Sequence, residues 1–379
     1  MSTSFEYIVI GGGIAGASIA AHLAAHSTVL LLEMEEQPGY HSTGRSAALF
    51  SETYGNSAIR ALTRASRSFF YSPPEGFCNT ELVRSRSVLI TARSGQEKQL
   101  EAFLESTAAS DQVVWKSPDE AIALCPILEA DGLEGALYTE NPADIEVHEL
   151  HQGYLRLMRR RNGVVRTDCA VTGLERRNGK WLVASRDQVF EGAVVVNAAG
   201  AWAGEVGKLA GTQDIGLQPL RRTVALIDAP ADLTIDHWPM LLDVEEQFYL
   251  KPDAGKFLLS PADETLVPPS DVQPEDFDIA VAVDRLETAT TLRVKRIAQR
   301  WAGLRSFVKD RTPVVGYDPD QPNFFWMAAL GGYGIQTAPA LSQMAAALVA
   351  RTEVGDDVLS FGVDPNSFSP SRLSAKIAV

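Results

Sequence analysis

Three glycines near the start of the chain have a spacing that suits phosphate binding. Residues 7–16 read YIVIGGGIAG, in which Gly11, Gly13 and Gly16 follow the pattern G-x-G-x-x-G. The first glycine permits a tight strand-to-helix turn, the second lets a pyrophosphate approach the backbone, and the third lets helix and strand pack closely. The helix that begins at Ile14 then offers free N–H groups, including those of Ile14 and Ala15, to phosphate oxygens. This pattern predicts a bound dinucleotide.

An acidic residue follows at the distance that such a site requires. The apolar run VLLLE ends at Glu33, about 20 residues after Gly11, with Met34 directly behind it. A carboxylate there accepts hydrogen bonds from ribose hydroxyls and repels a 2′-phosphate. From these residues FAD and NAD stay open and NADP is disfavoured. The alternative is a glycine-rich turn in an ordinary α/β core.

A polar loop after the second strand carries further candidate cofactor contacts. Arg45 is placed to meet phosphate or flavin oxygens, and the alternative is a solvated arginine. Ser42, Thr43 and Ser46 are expected to cap a following helix. His41 is expected to bond to backbone, with a covalent flavin link as the alternative.

The rest of the chain must position these residues, and its pattern indicates two kinds of sheet. Residues 193–203 (AVVVNAAGAWA) and 331–350 (GGYGIQTAPALSQMAAALVA) read as glycine turns that open helices, the first directly after an apolar strand. Residues 218–260 read as antiparallel strands, and residues 279–300 as a helix. Strands that alternate with helices favour an α/β fold with a doubly wound sheet. The antiparallel segment predicts a second domain that lies over the cofactor.

Bulk composition excludes several classes of function. The chain has 379 residues, 45% of them hydrophobic, and a formal net charge of −14, which disfavours nucleic-acid binding. No apolar run approaches the roughly 20 residues of a membrane span. The N-terminus lacks a signal peptide, so we expect a cytoplasmic protein and leave open peripheral contact with the inner membrane. Cys78, Cys125 and Cys169 have no metal-binding spacing, so no metal site is predicted.

Five motifs in order carry a family resemblance. GGGIAG with Glu33, TGRSAA, VVVNAAGAW, WAGLRSF followed by TPVVGYDP, and GGYGIQTAPA resemble the FAD-dependent D-amino-acid oxidase/glycine oxidase family, most closely bacterial D-arginine dehydrogenases. The resemblance covers nearly the whole chain. It implies a doubly wound, Rossmann-like FAD-binding domain and a mixed, mostly antiparallel substrate-binding domain. It also implies non-covalent FAD, because the cysteine that tethers flavin in related sarcosine oxidases has no counterpart here.

The resemblance also implies domain segments and cofactor contacts. Residues 1–50, 147–215 and 301–379 would form the FAD-binding domain, and residues 51–146 and 216–300 the substrate-binding domain. The implied cofactor contacts are Gly11, Gly13, Ile14, Ala15, Gly16, Glu33, Met34, His41, Ser42, Thr43, Arg45, Ser46, Ala47, Ala48, Val171, Ala199, Gly200, Trp202, Arg305, Gly331, Gly332, Tyr333, Gly334, Ile335, Gln336 and Thr337.

Five residues match the family's catalytic positions. Arg222 and Arg305 would clamp the substrate carboxylate, since the guanidinium fork matches a carboxylate and stays charged. Tyr54 and Tyr249 would close over the substrate and hydrogen-bond it. Gly332, at a helix N-terminus, would stabilise negative charge on the reduced flavin.

The implied reaction is oxidative deamination of a D-amino acid. A neutral amine gives its Cα hydride to flavin N5, and water hydrolyses the imino acid to a 2-oxo acid and ammonia. A quinone or oxygen would accept the electrons, and the protein would be a monomer or homodimer. One alternative is a secondary-amine oxidase of the sarcosine or glycine type. Another is a non-catalytic flavin-binding subunit of a larger complex.

The sequence departs from the D-arginine enzymes where the side chain is recognised. Val88 replaces a glutamate that binds the substrate cation, and Leu49 replaces a histidine. With Met240 and Leu242 nearby, the pocket is predicted to prefer neutral or apolar side chains over D-arginine, because an unpaired buried cation costs several kcal/mol. A loop that turned Glu52 inward would restore a cation site.

Overall fold

The computed structural model describes residues 4–107 and 113–373. The strands are β1 (Ser4–Ile10), β2 (Val29–Leu32), β3 (Leu49–Phe50), β4 (Val83–Ser85), β5 (Val88–Arg93), β6 (Val114–Lys116), β7 (Leu133–Thr139), β8 (Ala143–Ile145), β9 (Val164–Arg166), β10 (Val171–Arg177), β11 (Lys180–Ser185), β12 (Val189–Asn197), β13 (Gln218–Asp228), β14 (Met240–Asp243), β15 (Tyr249–Asp253), β16 (Lys256–Ser260), β17 (Thr265–Leu266), β18 (Ile297–Phe307), β19 (Val314–Tyr317) and β20 (Phe324–Ala328). The helices are α1 (Ile14–Leu23), α2 (Ser57–Tyr71), α3 (Glu97–Thr107), α4 (Pro118–Leu124), α5 (Val147–Arg160), α6 (Ala203–Ala210), α7 (Asp276–Ala289), α8 (Gly334–Ala350) and α9 (Asp356–Leu359).

The first sheet has eight strands and a parallel centre. Strands β10, β11, β12, β1, β2 and β9 follow in that order, and β20 pairs with both β12 and β19. The pairs β12–β1, β1–β2, β2–β9 and β12–β20 are parallel. Helices α1, α5 and α8 pack on one face and α6 on the other. The predicted doubly wound sheet is confirmed, and its central strands are apolar because both faces are buried.

The second sheet has nine strands and is mostly antiparallel. Its order is β17-β13-β16-β15-β14-β5-β7-β6, with β18 also paired to β13. Strands β14 and β5 run parallel, which makes the sheet mixed as predicted. Residues on one face of this sheet meet the first sheet's strand ends, and the other face is covered by a separate core that includes α4 and α7.

The predicted domain segments need a correction at β18. The resemblance implies that residues 301–379 belong to the FAD-binding domain, but Ile297–Phe307 pairs along its length with β13 in the second sheet. Helix α2, from the segment assigned to the substrate domain, packs in the same core as α1 and α8. The remaining boundaries stay a prediction.

The helix predicted over 279–300 is also too long. It begins at Asp276 and ends at Ala289, and Thr290 is extended with φ −139° and ψ 162°. Thr290 makes a β-bridge to Leu128 and its hydroxyl donates to the Leu286 carbonyl at 2.7 Å. These contacts end the helix, and the chain re-enters the second sheet from Ile297 onward.

Among residues 4–107 and 113–373, no helix is both long and apolar enough to cross a membrane.

Candidate active site

One large cavity lies where the two sheets meet. Its volume is about 420 Å³, within the range of small-molecule sites. The residues directly after β1, β2, β12 and β20 line one side, and residues of β13, β15 and β18 line the other. Ligands of open α/β sheets bind outside the carboxyl ends of the strands, where these turns converge.

The turn between β1 and α1 is built for close approach. A Cβ on Gly16 would lie 1.8 Å from the Gly11 carbonyl oxygen, and one on Gly11 would lie 2.4 Å from the Ala198 oxygen. The Gly12 N–H donates to Glu33 Oε2 at 2.7 Å, and the Glu35 N–H to Glu33 Oε1 at 3.0 Å. Burial raises the pKa of the Glu33 carboxyl above its usual value, against these hydrogen bonds, which lower it. Each carboxylate oxygen keeps a lone pair for a further donor.

Two side chains from other elements hold this turn. Thr43 Oγ1 accepts from the Ile14 N–H at 2.9 Å, and His151 Nε2 donates to the Gly12 carbonyl at 2.8 Å. His151 is buried, and this burial lowers its pKa, so the neutral ring is the donor. Sequence reasoning missed His151, which lies on α5 more than a hundred positions away.

The loop around Arg45 docks on β18 rather than opening a helix. Ser42 Oγ donates to the Leu304 carbonyl at 2.7 Å. Arg45 donates to the carbonyls of Val272 and Ala302, both at 3.1 Å, and to Asp271 Oδ1 at 2.5 Å. The predicted capped helix is therefore wrong: the next element is β3, and the hydroxyls of this loop satisfy partners elsewhere. Arg45 lines the cavity, although its guanidinium is engaged by the 271–272 segment.

His41 also differs from expectation. Its Nε2 lies 2.8 Å from Glu35 Oε1, a carboxylate and not a backbone group. The ring also contacts Trp202, with ring centroids 4.6 Å apart.

The donor set of this half of the cavity fits FAD. The N-terminus of α1, the Glu33 carboxylate and the glycine turns supply the phosphate and ribose contacts that a dinucleotide needs. Gln336, on the first turn of α8, has a buried Nε2 with no partner among the described residues, and its Oε1 accepts from the Ser51 N–H. The predicted cofactor contacts that line the cavity are Gly11, Gly13, Ile14, Ala15, Glu33, Met34, His41, Ser42, Thr43, Arg45, Ser46, Ala47, Val171, Ala199, Gly200, Trp202, Arg305, Gly331, Gly332, Gly334 and Ile335.

Five predicted contacts lie behind the cavity wall. Gly16 packs against the Gly11 carbonyl, and Ala48 packs on the core of the first sheet. Tyr333 contacts the Tyr54 ring, and the Thr337 hydroxyl donates to the Tyr333 carbonyl at 2.9 Å. Gln336 is the fifth, with its unpartnered amide.

The other half of the cavity contains two arginines, the buried Arg222 and the partly buried Arg305. Arg222 pairs in register with Gly303, and Arg305 with Leu220, so both side chains project from the same sheet face. Arg222 Nε donates to the Asp263 carbonyl at 2.9 Å, and its NH2 group to Glu264 Oε1 at 3.2 Å. Burial, and then the nearby Arg305 cation, lower the pKa of Arg222. Two adjacent cations, one buried and one partly buried, favour an anionic ligand.

Arg305 lies against the glycine turn before α8. A Cβ on Gly332 would lie 2.7 Å from an Arg305 guanidinium nitrogen. Arg305 NH1 donates to the Tyr54 hydroxyl at 3.3 Å. Within residues 4–107 and 113–373, Arg305 forms no salt bridge, so its charge is available to a ligand.

Tyr249 completes this half. It is a buried residue of β15 that lines the cavity, and it packs with Val224 and Leu258. Met240 and Leu242 contact the same cluster. The structure therefore brings Arg222, Arg305, Gly332 and Tyr249 to one cavity, with Tyr54 bonded to its edge.

The four apolar residues predicted to contact the substrate side chain come together. Leu49, Met240 and Leu242 pack in one cluster with Val88, and Met240 pairs in register with Val88. Met240 and Leu242 also pack on the cluster of Tyr249, and none of the four lines the cavity described above. We call these four residues the apolar cluster.

Glu52 does not turn toward this cluster. Its Oε1 accepts from Arg67 NH1 on α2 at 2.9 Å. The hypothesis that Glu52 restores a cation site is therefore wrong for this arrangement, because α2 already supplies its cation.

The fold and the cavity are those of a dinucleotide-binding protein, and two guanidinium groups face the second half of the cavity. The chain belongs to the family of FAD-dependent oxidoreductases, since the family model with that description matches residues 6–348. FAD is thus the cofactor, as predicted.

Individual relatives are distant. The chain is 22% identical to glycine oxidase of Geobacillus kaustophilus, over 96% of this chain and 97% of that protein. It is 25% identical to mitochondrial dimethylglycine dehydrogenase of Rattus norvegicus, over 96% of this chain and 45% of that protein. The chain thus spans less than half of the dehydrogenase. The crystal structure of the Geobacillus glycine oxidase superposes with a TM-score of 0.79 at 19% identity, covering 96% and 99% of the two chains.

Proposed function

We propose that this protein is an FAD-dependent D-amino-acid dehydrogenase or oxidase that prefers neutral or apolar side chains over D-arginine. The observation that carries the proposal is the pair of guanidinium groups, Arg222 and Arg305, on adjacent strands facing the cavity. The preference for the D-enantiomer is supported by the resemblance of the sequence motifs to D-arginine dehydrogenases.

The two arginines would bind the substrate α-carboxylate. Arg305 brings a guanidinium without a protein carboxylate partner, and Arg222 brings one whose Nε and one NH2 donor are already fixed by Asp263 and Glu264. The Tyr54 hydroxyl accepts from Arg305 and keeps its own O–H as a donor toward the carboxylate. Such a fixed donor set orients the substrate before reaction, which lowers the entropic part of the barrier.

Bound FAD would supply the oxidation by accepting a hydride from Cα. The protein's part is to hold Cα in place, to exclude water with Tyr249 and Tyr54, and to bind the amine in its neutral form. The α8 N-terminus beside Gly332 contributes a positive dipole end to the cavity. We assign no general base. The titratable side chains that line this half of the cavity are those of Arg222, Tyr249 and Arg305, and these groups are protonated at neutral pH.

The side-chain preference is supported by the apolar cluster, which lies behind the cavity wall and contacts the cluster of Tyr249 through Met240 and Leu242. Its members Leu49, Val88, Met240 and Leu242 carry no charge to pair with a guanidinium. The nearest candidate acid from the sequence, Glu52, is bonded to Arg67. A buried unpaired cation is costly, so D-arginine would be a poor substrate.

Anaerobic reduction of the yellow protein tests this proposal. The protein is mixed with apolar D-amino acids, their L-enantiomers, D-arginine and sarcosine, and bleaching of the flavin band is followed for each. We expect rapid bleaching by apolar D-amino acids and slow bleaching by D-arginine. Fast D-arginine, or bleaching by L-enantiomers alone, would contradict the proposal.

A second candidate is a secondary-amine oxidase. It is favoured by the relative named dimethylglycine dehydrogenase and by one named 4-methylaminobutanoate oxidase from Paenarthrobacter nicotinovorans, at 24% identity over 97% of this chain and 46% of that protein. It would use the same guanidinium pair and accept an N-alkyl group. Bleaching by sarcosine but not by primary D-amino acids would select it. A non-catalytic flavin subunit is excluded if the purified chain turns over alone.

Further properties belong to the same proposal. FAD would be held non-covalently, which acid precipitation tests by leaving all flavin in the supernatant. Oxygen or a quinone would reoxidise the flavin, and the chain would work as a monomer or homodimer in the cytoplasm or at the inner membrane surface. The cofactor contacts that line the cavity would bind FAD, and Arg222 and Arg305 would bind the substrate.

A further inference from the structure

A buried lysine, Lys251, lies next to the apolar cluster. We propose that Lys251 recognises the far end of the substrate side chain, so that the pocket favours D-amino acids whose side chains end in a carboxylate or carboxamide. This inference rests on the proposed function and refines its substrate class. Side chains that end in an amide are neutral and already belong to that class. Side chains that end in a carboxylate are an addition to it.

The sheet register puts Lys251 on the same face of the second sheet as Tyr249, which lines the cavity, while Lys251 itself is buried behind the cavity wall. Side chains alternate along a strand, so Lys251 projects from the same face of β15 as Tyr249. Leu241 pairs with Leu250 and Leu242 with Tyr249, so Met240 is the neighbour of Lys251 on that face. Val88, Met240 and Lys251 therefore form one row across three strands.

A second sheet brings a carboxylate to the same place. Lys251 Nζ donates to Asp144 Oδ1 at 3.0 Å. Asp144 pairs in register with Leu49 of the apolar cluster, so both side chains project from the same side of the three-stranded sheet β3-β8-β4. The lysine, its carboxylate and the apolar cluster thus converge.

This charged group has one positive charge in excess. Arg86 Nε donates to the other Asp144 oxygen at 2.9 Å, so two cations share one carboxylate. The side chains of Lys251 and Arg86 are only 8% and 11% exposed. In the part of the chain that the structure describes, neither cation has another carboxylate within 4.0 Å.

Of the two cations, Lys251 is the one with hydrogen-bond donors that lack an acceptor in the part of the chain that the structure describes. Arg86 also donates to the carbonyls of Asp236 and Trp238, at 2.7 and 2.8 Å. An ammonium has three donors, and the structure gives Lys251 one acceptor. A buried ammonium with free donors gains from an added acceptor and repels a second cation. The same group that would bind an acid or amide therefore helps to reject D-arginine.

Three six-carbon substrates of matched length test the proposal. D-2-aminoadipate, D-norleucine and D-lysine differ in a negative, apolar or positive end, and D-glutamate, D-glutamine and D-norvaline give a shorter set. For the wild-type protein we expect kcat/KM to be highest for an acid or amide end in at least one set. Lys251→Met should remove that advantage, by about 10- to 100-fold, and leave norleucine and norvaline within threefold.

The variants are chosen so that a loss of the acid or amide preference cannot be attributed to misfolding. Lys251→Met leaves Arg86 and Asp144 as a neutral pair, and Lys251→Gln keeps a donor at the same place. The control is Lys256→Met, which removes a lysine from an exposed salt bridge to Asp228 on the adjacent strand. FAD content should be equal in all three. A wild-type enzyme that is fastest with norleucine and norvaline, or an equal loss on all substrates in Lys251→Met, overturns the proposal.

A binding measurement separates this inference from the proposed function. Glutarate and adipate carry a second carboxylate that pentanoate and hexanoate lack, and none of the four can be deaminated. Perturbation of the flavin spectrum gives the Kd of each. We expect a dicarboxylate to bind at least tenfold more tightly than its monocarboxylate, and Lys251→Met to abolish the difference, even if no D-amino acid is oxidised. Equal Kd values in the wild type overturn the role of Lys251.

Discussion

The two ends of the cavity are built in opposite ways. The nucleotide end, Gly11–Gly16 with Glu33, uses backbone groups from a short stretch of chain, and its carboxylate is satisfied by N–H donors. The substrate end, Arg222, Arg305, Tyr249 and Tyr54, uses side chains from four separate elements, namely β13, β18, β15 and the loop after β3. There, Arg305 has a tyrosine hydroxyl as its hydrogen-bond partner.

This difference indicates which kind of substitution would disrupt each end of the cavity. A backbone site depends on the absence of side chains, so it is broken by adding atoms. A side-chain site depends on charge, so it is broken by removing atoms while the fold stays intact. The following predictions use that contrast, in order of falling effect.

Gly16→Ala should break the nucleotide end completely. The added Cβ would meet the Gly11 carbonyl oxygen at 1.8 Å, and backbone cannot give way as a flexible side chain does. We expect loss of bound FAD, measured as the ratio of flavin to protein absorbance. The control is Gly204→Ala on α6, where the nearest atom is 4.0 Å away. Full FAD content in Gly16→Ala would contradict the account of this turn.

Arg305→Met should disable the substrate end and leave the nucleotide end intact. Removing this cation from its ligand costs about 3–4 kcal/mol, so kcat/KM for a neutral D-amino acid should fall by about 10²- to 10³-fold. Arg45→Met is the matched control, because Arg45 lines the same cavity but its guanidinium bonds to Asp271 and to two carbonyls. Arg45→Met should weaken FAD binding and spare kcat/KM at saturating FAD. The reverse pattern would exchange the roles of the two arginines.

Acid should act on the nucleotide end through His151. Burial lowers the pKa of this histidine below its usual 6.5, so the unfolded chain binds the proton more readily than the folded one. Its contribution to stability is full above pH 6.5 and is lost as pH falls through the lowered pKa. FAD retention should therefore drop below pH 6.5, and His151→Gln, which can still donate to Gly12 without titrating, should reduce that drop. An unchanged acid profile in His151→Gln, with exposed His237→Gln as control, would exclude His151 as the cause.

Glu52→Gln should have the smallest effect. Glu52 pairs with Arg67, whose side chain is 42% exposed, and such pairs contribute at most about 1 kcal/mol. The ratio of kcat/KM for D-arginine to that for D-norleucine should change by less than about threefold. A collapse of D-arginine turnover alone would mean that Glu52 binds the substrate cation after all.

The same contrast explains what could be predicted from the sequence. The β1–α1 turn and Glu33 are contiguous, and their spacing predicts their geometry. Arg222 and Arg305 required the family resemblance, because nothing local distinguishes a clamp arginine from a surface arginine. His151 and the Asp144–Arg86–Lys251 group depend on long-range packing, although Lys251 carried one usable signal, its position two residues after Tyr249 on a strand. The end of α7 was misplaced because the bridge from Thr290 to Leu128 is a tertiary contact.

The central claim is that the guanidinium pair binds the α-carboxylate of a D-amino acid. The most direct measurement is the rate constant for anaerobic flavin reduction by D-norleucine, L-norleucine and pentylamine, which share one carbon chain. The account predicts fast reduction by D-norleucine and reduction at least about 10²-fold slower by pentylamine, which lacks the carboxylate, and by the L-enantiomer. Equal rates for D-norleucine and pentylamine would contradict it, because Arg222 and Arg305 would then have no part in the reaction.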